Sequence, residues 1–224
     1  MKSITIDNFK CDFVEATGSN KLVYMIYPAM MPFTEQWLEN NVKNYNVSVA
    51  VVYVPSNDWN DILTPWPEPG EAKGFPPFAG KAGEFQKTIQ TRIIPEIEGA
   101  LSGNIEQRDL IGVSLSGLFA LWQWMLCDTF RSIACLSGSY WYSGFLDWFE
   151  KQLVPEKKGR GYFLLGDKEP EAPVKAYQSV GKNTLAIVER LKNAGLNIKF
   201  EWVPGNHFAN PLKRAEKAFA NLYQ

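Results

Sequence analysis

The residues best suited to chemistry are a serine, the chain's single histidine and a short acidic loop. Ser114 sits in "DLIGVSLSGLFA", Asp109 to Ala120, between a β-rich run and a helix-like run. Gly112 and Ser116, two positions either side of it, are small enough to let a strand and a helix approach closely around a sharp bend. Such a bend lifts the hydroxyl out of a sheet, and the start of the next helix aims N–H groups and a positive dipole end at the same place. The N–H of Leu115 would then help to hold an oxyanion. An alcohol is nearly inert at neutral pH without a base, and His207, in "VPGNHFAN", is the one imidazole available. A carboxylate that fixes the ring tautomer completes the set, and "YFLLGDKEPEAP" offers Asp167, Glu169 and Glu171. Glu169 is preferred because a strand end followed by G-x-x-acid sets the carboxylate one turn out; Asp167 is the alternative. A second oxyanion donor is expected from Pro28-Ala29-Met30-Met31, where proline has no N–H and Ala29 is chosen over Met30. Singly, each of these signals is weak. Their order along the chain (serine, acid, histidine) carries the weight.

These side chains need a frame. "KLVYMIYP", "VSVAVVYVP", "DLIGV", "SIACLS", "YFLLG" and "IKFEWV" read as strands, several of them apolar on consecutive residues as in a parallel sheet covered on both faces. Helical patterns lie between them. Phe85, Ile89, Ile93 and Ile97 fall four apart in a helix that Pro95 should bend. Leu185, Val188 and Leu191 mark the apolar face of a later helix, with Gly195 as its stop. Ile4–Ile6 and Asp12–Ala16 could add an antiparallel edge pair. Alternating strand and helix predicts one α/β domain, residues 1–224, with a doubly wound, mostly parallel sheet and no separate lid.

Residues 55–82 break the alternation with a proline-rich loop that carries Trp59 and Trp66. It leaves the C-terminal end of a strand, where open α/β sheets bind ligands. Trp59, Trp66, Ser137 and Tyr140 are therefore expected in the substrate pocket, although covering core is an equally good use for the aromatics.

Composition narrows the class. The chain has 224 residues, 46% hydrophobic and 21% charged, with a net charge of −1 and no basic cluster. That argues against nucleic acid or an anionic membrane as partner. No apolar run reaches the ~18 residues that span a bilayer, and no secretory leader is read at the N-terminus. Cys11, Cys127 and Cys135 lack metal-ligand spacing and suit reduced thiols, so a cytoplasmic protein without metal or cofactor is expected. A homo-oligomer is compatible with all of this.

With these motifs placed, the chain resembles the Putative esterase family of α/β-hydrolases, which includes enterochelin esterases and esterase D. "NDWNDILTPWP", "AGEFQKTIQTRIIPEIE", "GVSLSG", "CLSGSYWY", "GDKEP" and "GNHF" occur in that family's order. The resemblance implies a serine hydrolase of small or soluble carboxylic esters that works through an acyl-enzyme, using Ser114, His207 and Glu169 or Asp167. The chain departs from the family at Ser116, where a final glycine is usual, and at Tyr27-Pro28, where relatives often carry His-Gly or Asp-Gly. Two alternatives stay open: acyl transfer by the same residues, and ligand binding without catalysis.

Overall fold

The computed structural model describes residues 1–224. The main sheet has eight strands: β1 (Lys2–Ile6), β2 (Phe9–Val14), β3 (Lys21–Pro28), β4 (Ser48–Val54), β7 (Gln107–Val113), β8 (Ser132–Leu136), β9 (Arg160–Gly166) and β10 (Asn197–Val203). Two short strands, β5 (Pro67–Glu68) and β6 (Phe78–Ala79), pair separately within the proline-rich loop. The sheet order is β1-β2-β4-β3-β7-β8-β9-β10. From β4 to β10 every pairing is parallel, and β2 runs antiparallel to both its neighbours. The edge pair is thus real, but it begins earlier than the apolar pattern suggested.

Helices cover both faces: α1 (Glu35–Tyr45), α2 (Trp59–Ile62), α3 (Ala82–Thr88), α4 (Ile94–Gly99), α5 (Leu115–Leu126), α6 (Phe145–Lys151), α7 (Val180–Asn193) and α8 (Pro211–Tyr223). Strand β3 shows why its sequence lacks alternation. Leu22, Tyr24 and Ile26 enter the larger core, which holds side chains of α3 to α7. Val23, Met25 and Tyr27 enter a second core beneath α1 and α8. Both faces are buried, so both must be apolar.

Two helices differ from expectation. Phe85, Ile89, Ile93 and Ile97 are all buried, but Pro95 does not simply bend their helix. Proline cannot donate the bond back to the preceding turn, and Ile89–Ile93 widens into a π-helical turn just ahead of it. The Ile94 N–H donates to Ile89 O, one residue further back than in an α-helix. In α7 the buried face is Val180, Thr184, Ile187, Val188 and Leu191, whereas Leu185 is exposed. Gly195 does adopt the left-handed conformation, φ +82°, that ends such a helix.

Candidate active site

The bend after β7 holds Ser114 at φ 56° and ψ −123°, a conformation that non-glycine residues rarely adopt. The bend is tight enough that a Cβ on Gly112 would lie 2.1 Å from the Ser116 carbonyl oxygen. Ser116 does more than fit. Its hydroxyl accepts from the Val113 N–H at 2.8 Å and donates to Ile26 O of β3 at 2.7 Å. Gly117 takes the close approach instead, since a Cβ there would meet Gly138 Cα at 3.0 Å.

The structure brings Ser114, His207 and Glu169 together. His207 Nε2 lies 3.1 Å from Ser114 Oγ, and its Nδ1 lies 2.8 Å from Glu169 Oε2. The carboxylate dictates the tautomer: Nδ1–H donates to it, leaving the Nε2 lone pair for the serine proton. Ser139 Oγ sits 3.3 Å from Ser114 Oγ, a second polar neighbour for the resting hydroxyl.

Glu169 opens a 3-10 turn directly after β9 and is almost fully buried. Burial pushes its carboxyl upward, but hydrogen bonds from His207, Ser137 and the Gly166 N–H, with the charge attraction of His207, leave it below the usual carboxylate value. Its Oε1 accepts from Ser137 Oγ at 2.6 Å, Gly166 N at 2.7 Å and Arg214 Nη1 at 2.9 Å. Ser137, expected in the pocket, borders a cavity at the serine, and its hydroxyl is also a partner of the acid. Asp167 does not face the histidine; its Oδ1 accepts from Gly205 N at 2.8 Å and ties the β9 loop to the histidine loop.

Arg214 is the residue that sequence reading missed. It lies in the first turn of α8, 4% exposed. Besides Glu169 it binds the Ser137 hydroxyl, His207 O at 3.4 Å and Asn206 O at 2.7 Å. One signal was available. Arg214 falls four before Ala218 on the stripe that also buries Ala215, Phe219 and Leu222, where an arginine needs a buried anion.

Ala29 does not fit the oxyanion role. Its N–H donates to Val54 O at 2.9 Å, because backbone bonding to β4 runs on one residue past the end of β3. Ala29 instead faces a separate small cavity with Tyr53 and Pro55. In the turn closed by the bond from Met31 N to Pro28 O, Met30 N–H is left without a backbone acceptor. Met30 lines the cavity that contains Ser114. Leu115 N–H, at the start of α5, has no preceding helical turn to receive it.

Two cavities meet at the serine. One, of about 600 Å³, runs towards Met30, Tyr27 and Arg214. The other, of about 590 Å³, runs towards Trp141, Glu71 and Tyr177. Trp59, Asn60, Ser114, His207 and Phe208 border both. Trp59 thus stands on the wall of both cavities. Trp66 and Tyr140 border neither cavity. Trp66 packs on Tyr142, Phe145 and Trp148 and donates to Ser143 O at 3.0 Å. Tyr140, 1% exposed, stacks on Phe145. Tyr140 is thus a core residue, and Trp66 is partly buried against the same core.

A serine on a strand-to-helix bend, at the C-terminal edge of a sheet in this order and facing a histidine from the last loop, defines the α/β-hydrolase class. The model of the family described as "Putative esterase" matches residues 29–210, and the chain belongs to that family. A curated relative, the uncharacterized protein YbbA of Bacillus subtilis (strain 168), is 26% identical over 138 residues, 60% of this chain and 55% of that protein. The match thus spans little more than half of YbbA. Among solved structures, an IroE-like serine hydrolase from Shewanella oneidensis superposes with a TM-score of 0.77 at 17% identity, covering 96% of this chain and 75% of that one. The siderophore hydrolase EstB from Aspergillus nidulans superposes with a TM-score of 0.74 at 16% identity, covering 99% and 93%. At such identities the superpositions speak for the fold.

Proposed function

We propose that residues 1–224 form one carboxylic esterase domain in which Ser114 is the nucleophile, His207 the general base and acid, and Glu169 the residue that orients the imidazole. Ser114 Oγ attacks the ester carbonyl carbon while His207 Nε2 takes its proton. The imidazolium then returns that proton to the departing alcohol, leaving an acyl-serine. Water attacks the acyl-serine with the same proton relay reversed, releasing the acid. Leu115 N–H and Met30 N–H hold the oxyanion of both tetrahedral intermediates. The observation that carries this reading is the unbroken chain of contacts from Ser114 Oγ through His207 to Glu169, at 3.1 and 2.8 Å.

Small or soluble esters are the substrates, because the serine opens onto two cavities of moderate size without a lid domain over them. Siderophore esters are candidates, since the Aspergillus nidulans neighbour is a siderophore hydrolase. A cytoplasmic site of action is supported by three cysteines that are all free thiols. No helix is long and apolar enough to cross a membrane.

Labelling with a fluorophosphonate probe, followed by peptide mass spectrometry, tests the assignment. The expected result is a single adduct on Ser114 that is absent from Ser114→Ala and strongly reduced in His207→Asn. Folded wild-type protein that hydrolyses no p-nitrophenyl ester and takes no label would leave a ligand-binding protein instead.

A further inference from the structure

Strand β10 ends the main sheet, so one of its edges has no neighbouring strand. The bond from Asp167 N to Val203 O fixes which of its backbone groups are already used. In a parallel ladder alternate residues bond to the neighbour, so Val203, Glu201 and Lys199 turn their N–H and C=O towards β9. Ile198, Phe200 and Trp202 turn theirs to the open edge, where no other strand or loop of the chain bonds them. The strand holds continuous register with β9 over Asn197–Val203, without the proline or bulge that commonly blunts an edge. Nor is it covered: Asn197 and Lys199 are exposed, and Trp202 is 41% exposed.

The side chains of β10 divide between the two faces of the sheet. Glu201 Oε1 receives Lys217 of α8 at 2.5 Å, and Val203 enters the core beneath α1 and α8. Lys199 falls on that same face by the two-residue period of a strand. On the other face Ile198 and Phe200 pack with the larger core, and Trp202 stands edge-on to Phe200 at 5.2 Å. A second copy of β10, run antiparallel, meets this pattern about a two-fold axis. With the axis at Phe200, Phe200 meets the partner's Phe200 and Ile198 meets the partner's Trp202. All of these residues present free backbone groups, and each such pair exchanges two hydrogen bonds. The same axis sets Lys199 opposite the partner's Glu201, a favourable cross-strand pair. An axis at Lys199 would set lysine against lysine, and one at Glu201 would set glutamate against glutamate. Charge and bonding therefore select one register.

We infer that β10 is a self-association edge: two copies of this chain pair antiparallel along Asn197–Val203, about an axis at Phe200, and join their sheets into one. The inference goes beyond the esterase reading and does not rest on it, since Ser114, His207 and Glu169 take no part in the pairing.

Sedimentation equilibrium of the full chain at micromolar concentrations tests it, together with amide hydrogen exchange read by NMR on dilute and concentrated protein. A dimer is expected, with the Ile198, Phe200 and Trp202 N–H groups protected on association. Lys199→Glu should raise the dimer dissociation constant at least about tenfold, because both symmetry-related attractive pairs become repulsive. Lys199→Arg should change it less than about threefold. Thermal unfolding should show both variants folded, as Lys199 is exposed. A chain that stays monomeric would overturn the inference, leaving an edge that is bare or reserved for a strand of another protein. A dimer indifferent to Lys199→Glu, or one whose three edge amides exchange as fast as in the monomer, would place the interface elsewhere and overturn it too. Fluorophosphonate labelling of Ser114 decides the esterase reading separately.

Discussion

At the scale of single residues, distance separates the acids that sequence left open. Glu169 touches the imidazole, whereas Asp167 holds the backbone beneath it. Glu169→Gln should lower kcat for p-nitrophenyl butyrate by about 10³–10⁴, and Ser114→Ala or His207→Asn by about 10⁴–10⁶. Asp167→Asn should change kcat less than about tenfold, because an amide oxygen still accepts from Gly205. Glu169 also ties stability to pH. Its folded-state pKa lies below the ordinary 4.5, so its contribution is complete above 4.5 and is lost as pH falls through the lowered value. Urea midpoints of wild type and Glu169→Gln should therefore differ most near neutrality and converge under acid. Serine, histidine and the acidic loop were legible because each is rare or ordered in the chain. Arg214 was not, because a lysine- and arginine-bearing helix looks solvated until the acid it neutralises is placed in space.

At the scale of elements, the turn after β7 explains a departure in sequence by hydrogen bonding. Ser116 ties Val113 of the elbow to Ile26 of the neighbouring strand. Ser116→Gly should cost about 1–2 kcal/mol in urea unfolding. Ser114 should remain reactive to the fluorophosphonate probe. Strands were legible from apolar runs alone, since β3, β4 and β8 have no exposed face to mark. Where an element ends is a matter of pairing, and that misled the choice of Ala29. The strand register commits its N–H to Val54 O, which no local pattern reveals. Met30, one residue on, is the donor proposed in its place. The π turn at Ile89–Ile93 was hidden for a similar reason: Pro95 announces a missing donor, but not how the helix absorbs it.

At the scale of the whole molecule, the proline-rich loop shapes access. Its Trp59 and Asn60 stand between the two cavities, while Trp66 anchors the loop to α6 through Phe145 and Trp148. Sequence placed this loop at the correct edge of the sheet. It could not tell which rings face substrate and which face core, because both uses call for the same residues. With two separate cavities of similar size, an ester with substance on both sides of its carbonyl fits better than one long chain. Turnover of p-nitrophenyl esters should peak at short to medium acyl length and fall towards palmitate, as read from kcat/KM across the series.

Arg214 also has a consequence for the order of events during synthesis. The guanidinium that braces the acid and the histidine loop comes from α8, later in the chain than every group it supports. A growing polypeptide that has already emerged past the elbow therefore carries its nucleophile without the brace. Reactivity towards esters should therefore arrive abruptly, only when α8 docks.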